Sequence, residues 1–230
     1  MRVLSYNIHG CVGTDRKYNP DRICSIIEQS EADIVALQEV YEYRSIKNFF
    51  HTLEALKGYH IIRGPTLDRE DGSYGNVLMS RYPVLQEERI DISVPHREPR
   101  GAIRVMLEAD DELVEVTTTH LGLTAGERIR QLEKLIESGD KNPDPDLRIF
   151  AGDLNDWFSR SRFSRLLEQR YGNVPKMSPR TFPAFLPLLK LDRIIVDPPG
   201  RLLSLAILNL PFVKKASDHL PLLGEIKGQT

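Results

Sequence analysis

The chain has 230 residues, enough for one large α/β domain or two small ones, and its 40% hydrophobic and 28% charged content is ordinary for a water-soluble globular protein. Its net charge of −2, from 31 basic and 33 acidic residues, excludes a globally basic nucleic-acid-binding surface, though not local basic clusters. Cys11 and Cys24 show neither metal-ligand spacing nor a disulfide framework, so free thiols in a reducing compartment are expected. Met1–Ser5 leads straight into a strand-like run without a signal-peptide core, and no stretch approaches the ~20 apolar residues of a membrane helix. The expectation is a cytoplasmic protein with no stable membrane insertion.

Val3 to Ile8 reads as a first strand, broken by His9-Gly10. Asn19 stands as an N-cap with Pro20 at the first helical position, and Ile23, Ile26 and Ile27 follow at helical spacing toward Ser30. Asp33 to Leu37 is a short apolar run ending at Gln38-Glu39. Ser45 can cap a second helix carrying Ile46, Phe49, Phe50, Leu53 and Leu56, with Gly58 just past its end. Strand, helix, strand, helix is a layered α/β opening. Tyr59 to Arg63 is a strand candidate and Asp68 to Ser73 a polar loop. Val77–Ser80, Val84–Ile90, Ile103–Glu108 and Leu113–Thr119 follow as short strands, the last two joined at Asp110-Asp111. Strands in succession without helices imply antiparallel pairing, hence mixed sheets. Thr124 and Glu127 match a capping box before Ile129, Leu132, Leu135 and Ile136. Residues 142–146 form a surface connection, and Arg148–Ala151 is a buried strand. Phe163, Leu166 and Leu167 mark a short helix, residues 172–190 are Pro-rich and irregular, and Leu191–Val196, Leu202–Leu208 and Leu220–Ile226 finish as strands. No fixed-period repeat or linker divides the chain, so one domain over 1–230 is the simpler reading.

Polar islands stand at the ends of these apolar runs. They hold Asn7, His9, Glu39, His120, Asp153, Asn155, Asp192, Asp218 and His219. Strand ends are where binding groups gather in α/β folds. Singly, each residue has an ordinary structural reading. Asp153 and Asn155 can form an Asx turn, Glu39 a solvated strand end, His120 a hydrogen-bonded core histidine, Asp192 an ion pair with Arg193, and Asp218 a turn cap. Jointly they would leave several polar groups unpaired at the ends of buried strands, which is costly unless they share a site. Glu39, Asp218 and the amide oxygen of Asn7 are hard oxygen ligands that suit Mg²⁺ or Mn²⁺. Zinc is disfavoured, because neither a Cys pair nor the HExxH pattern is present. A divalent ion with imidazoles beside it points to attack on a phosphate ester.

Asn7 in Ser-Tyr-Asn-Ile-His-Gly, Glu39 in Ala-Leu-Gln-Glu-Val, His120 in Thr-His-Leu, Asp153 and Asn155 in Gly-Asp-Leu-Asn, Asp192 in Leu-Asp-Arg-Ile and Asp218-His219 in Ser-Asp-His occur in an order that resembles the endonuclease/exonuclease/phosphatase superfamily. That superfamily includes deoxyribonuclease I-like nucleases, abasic-site endonucleases, neutral sphingomyelinases and inositol-polyphosphate phosphatases. The resemblance spans residues 5–222. It implies a four-layer α/β sandwich, two packed mixed β-sheets flanked by helices, with the pocket at one sheet edge. It implies Glu39 as principal ligand of Mg²⁺ or Mn²⁺, joined by Asn7 and Asp218. It further implies that Asp192 orients His219, that His120 contacts the scissile phosphate, that Asp153 activates or orients water, and that Asn155 steadies Asp153 or the phosphate. Two assignments of the general base, Asp153 or the Asp192–His219 pair, stay open. Asn76, beside the family's central strand, and Arg100, which resembles a phosphate-contacting arginine, join His9 as candidate substrate-binding residues. Thr-His-Leu is nearer the deoxyribonuclease and sphingomyelinase branches than the abasic-site branch.

The expected activity is therefore metal-dependent phosphoester hydrolysis, with a phosphodiester favoured. A nuclease, a phospholipid or inositol-phosphate hydrolase, and a catalytically inactive binding module are the alternatives. Two surfaces bear on the substrate. Arg160, Arg162, Arg165 and Arg170 follow Trp157 and Phe158 and can track a nucleic-acid backbone, or else form a solvated helix face. The apolar stretch Phe182–Lys190, with Leu210–Lys215, can rest on an anionic membrane, or else pack against the sheet.

Overall fold

The computed structural model describes residues 1–44, 49–139, 144–157, 161–171 and 178–228. One sheet holds six strands: β1 (Arg2–Asn7), β2 (Ile34–Tyr43), β3 (His60–Arg69), β4 (Gly72–Ser80), β10 (Leu202–Ile207) and β11 (Leu222–Ile226), in the order β10-β11-β1-β2-β4-β3. The other holds β5 (Val84–Asp91), β6 (Gly101–Ala109), β7 (Glu112–His120), β8 (Leu147–Asp153) and β9 (Asp192–Asp197), in the order β5-β6-β7-β8-β9. The pairs β1–β2 and β7–β8 are parallel and the others antiparallel, so both sheets are mixed as expected.

Three apolar layers follow from the two-residue period of the strands. Leu4 and Tyr6 of β1, with Val35 and Leu37 of β2, face α1 (Pro20–Ser30) and α2 (Phe49–Glu54). The alternate residues Val3, Ile34, Ala36, Val105, Val114, Val116, Ile149, Ala151, Ile194 and Val196 fill the space between the sheets. On the far side, Phe150 and Ile195 pack with Leu132, Leu135, Phe163 and Leu167 of α3 (Ala125–Glu137) and α4 (Arg162–Tyr171). Helix, sheet, sheet, helix is the four-layer sandwich. No described helix is long and apolar enough to cross a membrane.

Local signals act as read from the sequence. The Asn19 side chain accepts from Arg22 N at 3.1 Å and Pro20 opens α1, a cap worth about 1 kcal/mol. Thr124 accepts from Glu127 N at the start of α3. Asp110 and Asp111 turn β6 into β7 at φ 53° and 65°.

Other expectations are corrected. The polar stretch Asp68–Ser73 is no loop but the end of a long β3–β4 hairpin, paired through Arg69↔Gly72. Asp68 to Asp71 are exposed, so a polar composition is compatible with a strand end there. Likewise β2 runs on to Tyr43, after a register shift between Leu37 and Val40. Residues 213–216 form a short helix, α5 (Val213–Ala216), where only an apolar stretch was expected. The expected Ser45 cap and Ile46 lie outside the described residues, as do residues 142–143, 172–177, Phe158 and Arg160.

Candidate active site

The inter-sheet alternation continues past the apolar core and there changes character. On β1 it runs Val3, Ser5, Asn7; on β7 Val114, Val116, Thr118, His120; on β8 Leu147, Ile149, Ala151, Asp153; and on β9 Val196, Ile194, Asp192. Each strand therefore ends on a polar residue aimed into the same cleft. Parallel β7–β8 pairing sets His120 opposite Asp153, and antiparallel β8–β9 pairing sets Asp153 opposite Asp192.

One oxygen collects these groups. Asn7 Nδ2 donates to Asp153 Oδ2 at 3.0 Å, while His120 Nε2 and His219 Nε2 stand 3.5 and 3.6 Å from the same oxygen. All four residues are buried. Asn7 Nδ2 also donates to Glu39 Oε1 at 2.9 Å, and Asn7 Oδ1 accepts from His9 N at 3.1 Å. In this arrangement the Asn7 nitrogen faces the two acids and its oxygen faces the His9 backbone. Glu39 reaches the cleft from the irregular stretch of β2, where its own φ is 54°, a conformation uncommon for a residue with a Cβ.

His219 lies in the loop between α5 and β11. Its Nδ1 donates to Asp192 Oδ2 at 2.9 Å, and its ring lies 4.9 Å from that of Phe182, tilted by 47°. Burial, the largest single influence, disfavours the charged ring, but Asp192 by charge and hydrogen bond, together with Asp153 and Asp218, outweighs it and pushes His219 up to about 10. His120 moves the other way, to about 3. Burial is the largest cause, Asp153 opposes it, and Arg100 and His219 reinforce it. Burial also raises the Glu39 carboxyl, against the hydrogen bond from Asn7 and with Asp218 and Asp153 adding repulsion.

The remaining candidates take varied places. Asn155 N donates to Asp153 Oδ1 at 3.0 Å, so the ordinary Asx turn is present and itself orients the acid. The Asn155 side chain donates to Leu121 O at 2.9 Å and lies 3.1 Å from His120 Nε2. Asp218 is half-buried, with Oδ1 3.9 Å from the exposed His9 ring. Asn76 is a strand residue of β4 and not a turn, and its amide donates across to Gly101 O at 2.9 Å. Arg100 is buried, with Nη1 2.9 Å from His120 Nδ1 and Nη2 2.9 Å from Glu98.

Sequence reading missed three supporting residues. Ser217 Oγ donates to Asn7 O at 2.8 Å and accepts from His219 N at 3.2 Å, locking the last loop to β1. Thr181 Oγ1 accepts from Asp192 N at 3.4 Å. Gln38 donates to Thr118 Oγ1 at 3.3 Å beneath the cleft. Of these, Ser217, preceding Asp-His, and Gln38, preceding Glu39, carried a signal in their neighbours.

The expected arginine patch is only partly free: Arg162 lies 3.5 Å from Glu133, and Arg170 lies over Tyr171. Trp157 is half-exposed, with Arg128 over its ring at 5.8 Å. In the stretch 182–190, Ala184 is buried in the core and its N donates to Asp218 O at 2.6 Å, whereas Phe185, Leu186 and Leu188 are exposed.

The sequence pattern of the Endonuclease/Exonuclease/phosphatase family matches residues 4–219. The uncharacterised protein YbhP of Escherichia coli strain K12 is 30% identical over 98% of this chain and 96% of its own length. Tyrosyl-DNA phosphodiesterase 2 of Mus musculus is 27% identical over 66% of this chain and 40% of its own. Among solved structures, an endonuclease/exonuclease/phosphatase from Beutenbergia cavernae DSM 12333 superposes with TM-score 0.79 at 21% identity, covering 99% of this chain and 72% of that one. The Bacteroides thetaiotaomicron mannosyl-6-phosphatase Bt3783 gives 0.74 at 18%, covering 99% of this chain and all of that one. With the match running from β1 through His219, the chain belongs to the endonuclease/exonuclease/phosphatase family.

Proposed function

We propose that the protein is a Mg²⁺- or Mn²⁺-dependent phosphoester hydrolase acting on phosphodiesters. The observation that carries this reading is the convergence of Asn7, His120 and His219 on Asp153 Oδ2. An acid so surrounded, at the open end of a sandwich core, suits it to orient a water molecule and take its proton. With its imidazole held in the charged form by Asp192, His219 is a poor base at neutral pH. It acts instead as a proton donor or as a positive charge beside the phosphate oxygens. Of the two assignments of the base, the geometry therefore favours Asp153. His120 supplies a hydrogen bond to a non-bridging oxygen.

The residues fit a hard cation. Glu39 and Asp218 are oxygen donors whose negative charges act on one another, and Glu39 is held above its ordinary range. These two would hold the ion, with Asn7 bracing Glu39. When bound, the ion offsets phosphate charge and polarises the ester. A second acidic group, Asp153, Asp192 and His219, has ligand atoms within 4.8 Å of one another. There the 2.9 Å Nδ1–Oδ2 contact is that of a charge-assisted hydrogen bond, so a proton rather than a metal occupies it in our reading.

Relatives named as a phosphodiesterase and a phosphatase support the phosphoester class. The diester preference rests on the half-exposed Trp157, two residues after Asn155, as a surface for a second substituent on phosphorus. The buried free thiols Cys11 and Cys24 accord with a reducing, cytoplasmic compartment. The test is hydrolysis of bis-(p-nitrophenyl) phosphate with Mg²⁺ and with Mn²⁺. The expected result is turnover abolished by EDTA, by Asp153→Ala and by His219→Ala. Turnover that persists in EDTA or in both variants would refute the mechanism. A parallel panel of single-stranded DNA, RNA, sphingomyelin, phosphatidylinositol and inositol phosphates assigns the substrate.

A further inference from the structure

Arg100 stands where a phosphate-binding arginine was expected, yet its guanidinium is turned inward. Nη1 lies 2.9 Å from His120 Nδ1 and Nη2 2.9 Å from Glu98 Oε1, and the residue is only 8% exposed. A guanidinium has donors and no acceptor. The nitrogen it faces must therefore be the unprotonated one. The proton of a neutral His120 is then on Nε2, the atom directed at Asp153 Oδ2 and the catalytic cleft.

We infer that Arg100 is a positioning residue that fixes His120 as the neutral Nε2–H tautomer, making His120 a dedicated hydrogen-bond donor to the phosphate rather than a proton-transfer group. The inference rests on the phosphohydrolase reading for its function, but its structural content does not.

Three observations support it. A doubly protonated ring would aim Nδ1–H at a cation, and the ring is fully enclosed, conditions under which His120 stays neutral far into acid. The competing contact is weaker: the Asn155 amide, 3.1 Å from Nε2, is neutral where Arg100 is charged and 2.9 Å from Nδ1. Arg100 is also held independently of His120. Its backbone N donates to Ser93 Oγ at 3.1 Å, its O accepts from Ile92 N at 3.0 Å, and Glu98 pairs with its other terminal nitrogen. The two histidines of the cleft are thereby set apart. Asp192 accepts from His219 Nδ1, whereas burial keeps His120 neutral and Arg100 turns its single proton to Nε2, so His120 offers a hydrogen bond and no second proton.

The test is nitrogen-15 NMR of histidine-labelled protein with Mg²⁺, with His120 assigned by its loss in His120→Gln. The expected wild-type spectrum shows His120 as the Nε2–H tautomer, unchanged between pH 5 and 8. Arg100→Ala should shift it toward the Nδ1–H tautomer and lower kcat by about 100-fold with KM little altered, the size of losing one oriented donor. Arg100→Lys, which keeps charge and donor, should restore both tautomer and part of kcat. A wild-type Nδ1–H or doubly protonated His120 would overturn the inference whether or not any variant folds. So would Arg100→Ala raising KM at constant kcat, which would make Arg100 a substrate contact. Because the tautomer is read without substrate, a wild-type protein that hydrolyses no phosphoester would sink the functional reading alone.

Discussion

Asp192 and His219 share a 2.9 Å hydrogen bond in a setting where the acid is fully buried and the imidazole nearly so. The bond joins β9 to the loop before β11, so it ties the edge of one sheet to the chain closing the other. Removing the charge with Asp192→Asn leaves the imidazole buried without its counter-ion. A loss of about 3 kcal/mol is expected, typical of breaking a buried pair. The pH dependence has a definite sign. His219 is raised from 6.5 to about 10, so its contribution is fully present below pH 6.5 and fades as pH rises through 10. Urea midpoints of wild type and Asp192→Asn should therefore differ most below pH 6.5 and converge toward pH 10. A gap independent of pH would show that the pair is not coupled to protonation.

Glu39 presents the opposite balance. Its carboxyl is raised by burial and by the neighbouring acids, so its charge is a cost to the metal-free fold at neutral pH. Glu39→Gln keeps an acceptor for Asn7 and removes that cost. The variant should be more stable than wild type in EDTA and should lose catalysis. Wild type should gain thermal stability on adding Mg²⁺ or Mn²⁺, and Glu39→Gln should gain little. Equal metal-induced shifts in both proteins would place the ion elsewhere.

The legible part of this site is the part written at a period of two. Asn7, His120 and Asp153 each stand two residues beyond an inward-facing residue, and Asp192 two before one, so a buried strand that ends in a polar residue announces a shared cleft. The layered architecture follows from the same alternation, because strands such as β8 bury Phe150 toward helices and Ile149 toward the other sheet. What stayed hidden depends on geometry that no local pattern encodes. The amide of Asn7 turns its nitrogen to two acids that come from residues 32 and 146 positions away. Arg100 meets His120 only because the β6–β7 hairpin folds Ala102 back onto Thr119. The end of the β3–β4 hairpin, Asp68 to Ser73, reads as a loop because residues 68–71 are exposed and polar, with no apolar side to advertise a strand.

His120 should govern the acid limb of stability. Its ring is lowered from 6.5 to about 3, first by burial, so the unfolded chain binds a proton that the folded chain excludes between those values. Stability contributed by the neutral ring is present above pH 6.5 and is lost as pH falls toward 3. The slope approaches about 1.4 kcal/mol per pH unit for one proton. His120→Gln should flatten the decline in unfolding free energy between pH 6 and 4, as measured by denaturant titration. An unaltered slope would assign acid sensitivity to other groups.

Gly152 sets the separation of the two strands that carry His120 and Asp153. It pairs with Thr119 across the parallel β7–β8 ladder at φ 154°, and a Cβ there would meet the Thr119 carbonyl oxygen at 2.0 Å. The obstacle is backbone in the middle of a sheet, so it cannot rotate away as a side chain would. Gly152→Ala must instead force β7 and β8 apart one residue before the catalytic pair. A destabilisation of about 3 kcal/mol is expected, at the upper end for overpacking. The displacement also acts on chemistry. His120 Nε2 and Asp153 Oδ2 are 3.5 Å apart, and a shift of about 1 Å in such an arrangement costs on the order of 100-fold in rate. The variant, assayed at a temperature where circular dichroism shows it folded, should retain metal binding through Glu39, on the other sheet, while kcat falls. A folded Gly152→Ala protein with wild-type kcat would show that the spacing of these two strands does not set the rate.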